Sequence, residues 1–148
     1  MQFQNILIPT DFSGSAEQAV QHALTLAARE QAQILLLHVL PSMAVPGTED
    51  RRQATAEQWL HDLARHAAVP VHTLVVWGDP AAEICRVAQE RQSDLIALST
   101  HGRTGRALDL LGSVTDAVVR RAPCAVLIFR ASLFAAAGGG GGILVTLP

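Results

Sequence analysis

Apolar residues along the chain follow two alternating patterns. Short, mostly apolar runs occupy residues 6–8, 34–40, 71–77, 95–98 and 124–129, each bounded by polar, Gly or Pro residues. Runs of that length read as strands buried on both faces. Between them, apolar positions recur at helical spacing. Residues 13–30 place Ala16, Ala19, Val20, Ala23, Leu24 and Ala27 on one stripe, with Ser13 or Ser15 as N-cap. Residues 49–68 do the same with Ala56, Trp59, Leu60 and Leu63. Two Pro and one Gly make residues 41–48 a loop. Gly78-Asp79-Pro80 ends a strand and starts a helix running to about residue 92. Asp79 suits its cap and Pro80 its first position. A last helix is predicted from Ser113 to about residue 121.

Strands that alternate with helices, through connections too long for hairpins, imply a parallel sheet covered on both faces. Right-handed crossovers leave few arrangements. The expected fold class is α/β: an open five-stranded parallel sheet of order 3-2-1-4-5 with helices on both faces, spanning residues 1–130. Strands 1 and 4 are then neighbours at the reversal, where ligands of open α/β sheets bind. Residues 131–148 form a separate Gly-rich tail with five consecutive glycines at 138–142, where no packed structure is expected. Its end, Ile143-Leu144-Val145-Thr146-Leu147-Pro148, is strand-like. Three readings stay open for the tail: a flexible end, an added edge strand or exchanged segment, and the start of a further domain.

Composition narrows the chemistry. A chain of 148 residues suits one domain, and a formal net charge of −2 gives no basic excess for nucleic acid. All eleven basic residues are Arg, so a P-loop lysine and a Schiff-base lysine are excluded. No run of about 18 apolar residues exists for a membrane span, and the first residues lack a signal-peptide pattern. A cytoplasmic protein is expected. Cys85 and Cys124 have neither C-x-x-C spacing nor a ligand cluster and read as reduced thiols. His61 and His66 lack the i, i+4 spacing of a helical metal pair, and no metal site is expected. Glu49-Asp50-Arg51-Arg52 reads as a solvated helix start.

Two loops leave the carboxyl ends of strands 1 and 4. The second starts at Ser99-Thr100-His101-Gly102-Arg103-Thr104-Gly105 and ends at Gly112-Ser113-Val114-Thr115. Gly102 and Gly105 permit close backbone approach. Ser113-x-x-Asp116 fits a capping box, and a helix N-terminus with free N–H groups attracts phosphate. The hydroxyls of Ser113 and Thr115 add donors, and Arg103 or Arg106 adds charge. His101 lies in this loop as a positioning residue or an acid–base group. In the first loop, Pro9-Thr10-Asp11, the carboxylate of Asp11 either faces a ligand's amino or hydroxyl group or forms an Asx-turn that caps the first helix. The G-x-G-x-x-G pattern of a dinucleotide site is absent after strand 1. No nucleophile–base pair stands out, so no catalytic residue is assigned, and the site reads as a binder with at most slow hydrolysis.

The motifs Ile6-Leu7-Ile8-Pro9-Thr10-Asp11-Phe12-Ser13, Leu37-His38-Val39, Gly78-Asp79-Pro80, Ser99-Thr100-His101-Gly102 and Leu111-Gly112-Ser113-Val114-Thr115 together resemble the universal stress protein family over residues 1–130. The family's ATP-binding branch carries G-x2-G-x9-G-[S/T]. Gly102, Gly112 and Ser113 match it, and Ser99 stands where the first Gly would be. The resemblance implies that Asp11 and the Val39 backbone meet adenine, that Pro9 and Thr10 line that pocket, and that Gly102, Arg103, Gly112, Ser113 and Val114 meet ribose and phosphates. It also implies ATP with Mg2+ held largely by phosphates and water, and a homodimer through the fifth strand. The alternatives are a dimeric interaction module of the same fold without nucleotide, or a slow ATP hydrolase.

Overall fold

The computed structural model describes residues 2–42, 45–100, 112–129 and 143–146. The predicted loop residues 101–111 and the tail residues 130–142 and 147–148 lie outside them. Elements follow in the order β1 (Asn5–Pro9), α1 (Gly14–Glu30), β2 (Gln33–Leu40), α2 (Glu49–Ala64), β3 (Val71–Trp77), α3 (Pro80–Glu90), β4 (Leu95–Ser99), α4 (Ser113–Arg121), β5 (Ala125–Phe129) and β6 (Ile143–Thr146). The sheet order is β3-β2-β1-β4-β5-β6. The first five strands run parallel in the expected 3-2-1-4-5 order. Ile143–Thr146 adds a sixth, antiparallel strand along β5.

Each apolar run buries two faces because its side chains alternate. Ile6 and Ile8 of β1 join Ile34, Leu36, Leu95, Ala97 and Leu127 under Ala19, Val20, Ala23 and Ala27 of α1 and Leu60 of α2. Leu7 points the other way, with Leu37, Ile96, Leu98, Val126 and Ile128, against Ala81, Ile84 and Val87 of α3 and Val118 of α4. An alanine stripe on α1 lets that helix approach the sheet closely. Trp59 departs from the expected stripe. Ala56 and Leu60 are buried, but Trp59 is 49% exposed at the helix edge. Helix α2 also ends at Ala64, short of the predicted residue 68. Pro70 disfavours helical geometry at the residue before it, and the chain extends into β3.

At α1, Ser13 is the N-cap and its hydroxyl accepts from the Ala16 N–H at 3.3 Å. At α3, Asp79 is the cap, accepting from the Ala82 N–H at 2.9 Å, with Pro80 in the first turn. Gly78 makes the turn from β3 into this cap at φ 147°, a conformation that side chains rarely adopt. A Cβ there would lie 2.9 Å from Cγ of Glu83. Gly78→Ala is therefore expected to cost about 1–3 kcal/mol. Urea unfolding of both proteins measures the loss, and equal midpoints would refute the reading.

Candidate functional site

The two crevice loops are each tied down by hydrogen bonds. In the first, the Thr10 N–H continues the β1–β2 ladder to the Leu37 carbonyl at 2.8 Å. Oγ1 of Thr10 accepts from the Phe12 N–H at 3.1 Å, and Oδ1 of Asp11 accepts from the Ser13 N–H at 2.9 Å. The second bond is the Asx-turn raised as one reading of Asp11. It holds the carboxylate at the head of α1 while Asp11 also lines the cleft. Phe12 between them sits at φ 64°, left-handed for a bulky residue. Its ring packs 4.5 Å from His38 and 4.9 Å, edge-on, from Trp59. Nδ1 of His38 lies 2.7 Å from the Thr10 carbonyl. A carbonyl only accepts, so Nδ1 carries the proton and donates. Strained backbone of this kind persists where its surroundings over-determine it.

The second loop is fixed from β4 and β5. The Thr100 N–H donates to the Phe129 carbonyl at 3.0 Å, and the Thr100 carbonyl accepts from the Gly112 N–H at 2.8 Å. Oγ1 of Thr115 donates to the Ser99 carbonyl at 2.9 Å. These bonds seat the start of α4 against the end of β4. The predicted capping box does not form. Gly112 has the extended backbone of an N-cap, so Ser113 is the first helical residue, and no side chain caps the helix. Asp116 turns outward, and its carboxylate accepts from Nε of Arg120 at 3.0 Å. A glycine cap leaves the first-turn N–H groups open for an anion.

Between these loops lies a cleft of about 380 Å³, within the size range of small-molecule sites. Of the residues singled out by sequence, Pro9, Thr10, Asp11, Val39, Ser99, Gly112, Ser113, Val114 and Thr115 line it together. Thr100 is buried beside it in the bonds just described. His101, Gly102, Arg103 and Gly105 lie outside the described residues. Among the described residues the buried polar side chains are Thr10, His38, Thr100 and Thr115, and all four belong to this end of the sheet.

One lining residue escaped the sequence reading. Arg52 is not part of a fully solvated helix start. It is half-buried, lines the cleft, and holds its guanidinium carbon 5.2 Å from the centre of the Trp77 ring. Nε1 of Trp77 donates to Oε1 of Gln53 at 2.9 Å, which fixes the indole under the cation. Among the described ion pairs none involves Arg52, and the Trp77 indole is the described partner of its cation at the cleft wall. The signal was the Arg52-Gln53 pair one strand before Trp77, and only the fold brings the three together.

The thiols stand apart from this site. Cys85 and Cys124 are free and half-buried, packed in the α3–α4 layer. Burial pushes the Cys124 thiol up to about 11 from 9.0, with Asp94 and Cys85 adding in the same direction. Burial also raises Cys85, and Arg121 partly opposes it.

Five parallel strands with a cleft at the strand-order reversal define an open, doubly wound α/β protein. The Universal stress protein family profile matches residues 2–130, and the chain belongs to that family. It is 30% identical over 142 residues to a universal stress protein of Methanocaldococcus jannaschii, covering 86% of this chain and 82% of that one. The universal stress protein UspA from Lactobacillus plantarum superposes with a TM-score of 0.75 at 30% identity, over 86% of this chain and 98% of its own. A universal stress protein solved in complex with cAMP superposes with a TM-score of 0.67 at 27% identity, over 86% and 97% of the two chains.

Two outcomes follow for these groups. His38→Leu leaves the Thr10 carbonyl without its donor and is expected to cost about 1–3 kcal/mol. An unchanged urea midpoint would show that His38 does not hold the loop. For Cys124, the folded value lies above the unfolded one, so the thiol's contribution is complete below about 9 and is lost as pH rises from 9 towards 11. At pH 8 its thiolate fraction is expected to be about 100-fold smaller than in the unfolded chain. Disulfide-exchange kinetics on native and denatured protein measure this, and equal rates would contradict it.

Proposed function

We propose that this universal stress protein binds an adenine nucleotide, ATP foremost, in the cleft between β1 and β4, and that it acts in the stress response through partners rather than by turnover. The observation that carries the proposal is the convergence in one cavity of Asp11, the sole carboxylate among its described lining residues, and the glycine-capped start of α4. Asp11 accepts from the adenine amino group or a ribose hydroxyl. The N–H groups of Ser113 and Val114 and the exposed Ser113 hydroxyl take phosphate oxygens. Gly102 and Arg103 are assigned to ribose and phosphate by the family resemblance, and Thr100, His101 and Gly105 join them by their place in the same loop. The relative in complex with cAMP supports an adenine nucleotide as the ligand class.

The donor set suits phosphate better than metal. The Thr115 hydroxyl is committed to the Ser99 carbonyl, and Asp11 already holds the Ser13 N–H. Mg2+ would therefore arrive with the nucleotide and keep phosphate oxygens and water as its ligands. Arg52 adds a cation on the α2 side of the cleft. The homodimer implied by the resemblance uses the outer edge of β5, and in this chain that edge carries β6.

Calorimetric titration with MgATP, AMP and adenosine tests the reading. Saturable binding of ATP is expected, weakened ~10-fold or more by Asp11→Ala, since the variant loses an accepting group in a desolvated site. Failure to bind at millimolar nucleotide, with none released from the purified protein on denaturation, would overturn it.

A further inference from the structure

An antiparallel strand on an otherwise parallel sheet sets this chain apart from the family domain that it contains. The family match ends at residue 130, and β6 begins at Ile143, outside it. β6 pairs with the outer edge of β5 over four positions, Val126 with Thr146, Leu127 with Val145, Ile128 with Leu144 and Phe129 with Ile143. β5 is Ala-Val-Leu-Ile-Phe, apolar throughout and buried on both faces. Without β6 it would present a row of unpaired N–H and C=O groups on a wholly apolar strand. Such an edge is a template for another chain. Its simplest partner is the same edge of a second copy, because two identical strands related by a two-fold axis pair antiparallel and satisfy each other.

We propose that β6 is a built-in cap on the β5 edge, which holds the chain as a monomer and whose release exposes the edge for pairing with a second copy. Register and connection length favour the cap. Phe129 and Ile143 face each other, so the ends joined by residues 130–142 are neighbours. Closing a connection of those thirteen residues costs little more than closing a shorter one, since the cost grows only as the logarithm of length. A tethered strand competes at an effective concentration in the millimolar range, whereas a second copy competes at its bulk concentration. At micromolar protein the tethered strand wins unless its pairing is broken. This inference does not depend on what the cleft binds, so nucleotide titration and oligomeric state fail independently.

The test is sedimentation velocity on the full chain at tens of micromolar, beside the double variant Leu144→Pro, Val145→Pro. Adjacent residues of a strand aim their N–H groups to opposite sides, so the proline pair removes whichever of the two central donors faces β5 and leaves residues 1–143 unaltered. The full chain is expected to sediment as a 15.7 kDa monomer and the variant as a dimer. A dimeric full chain, or a variant that stays monomeric, would overturn the cap. A second variant guards against misfolding of the first. Val126→Cys with Thr146→Cys joins a directly opposed pair and is close to isosteric at both positions. Oxidation is expected to give a disulfide within one chain that keeps the mass of a monomer. A disulfide found only between chains would refute the assignment of β6 to its own β5.

Discussion

Ile6 and Leu7 of β1 face Leu95 and Ile96 of β4, and there the parallel ladder between these two strands ends. Each strand nevertheless stays paired with its other neighbour to its carboxyl end, β1 with β2 through Pro9 and β4 with β5 through Ser99. The two central strands therefore part while the rest of the sheet remains closed. The cleft occupies the space they leave. The same reversal sends α1 and α2 to one face and α3 and α4 to the other, so that no helix crosses the opening. A sheet that reverses its order must have such a place, and the buried polar side chains among the described residues are gathered around it.

Parting two buried strands strands their last backbone groups, and buried polar groups without partners are expensive. The chain answers with its buried polar side chains. His38 donates to the Thr10 carbonyl, Thr115 to the Ser99 carbonyl, and Thr10 accepts from the Phe12 N–H. Thr100 uses its backbone to bridge β5 and the start of α4. With these groups satisfied internally, the open first turn of α4 and the guanidinium of Arg52, held over Trp77, are what the described loops leave for a ligand. The left-handed Phe12 belongs to the same arrangement. Its strain is offset by packing on His38 and Trp59, and it aims Asp11 and Ser13 at the head of α1.

The sheet order was legible because period-2 burial of continuous apolar runs and period-3.6 spacing between them are local properties of sequence. So was the Asp79–Pro80 start of α3, a pairing of cap and first residue. The capping box at Ser113 was misread because Gly112, with no side chain to advertise a cap, takes the extended backbone and shifts the helix start by one. Trp59 fell on the helical stripe by spacing, yet a helix at the sheet margin buries a narrower arc, and its large ring lies at the rim against Phe12. Arg52 was invisible for a different reason. Its role depends on Trp77, twenty-five positions on, which only the β2–β3 pairing brings beneath α2.

The edge of the sheet and the cleft share one piece of backbone. Phe129 pairs with Ile143 of β6 on its outer side, while its carbonyl accepts from the Thr100 N–H on its inner side. The Thr100 carbonyl in turn accepts from Gly112, the cap of the helix whose first turn lines the cleft. Two consecutive hydrogen bonds thus separate the strand edge from the open N-terminus of α4. Contiguity of this kind does not by itself make a coupling, which requires an element with two arrangements biased from both ends. β6, paired or released, is an element of that kind at one end. The bonds through Phe129 and Thr100 are the contiguous backbone that lies between β6 and the cap at Gly112.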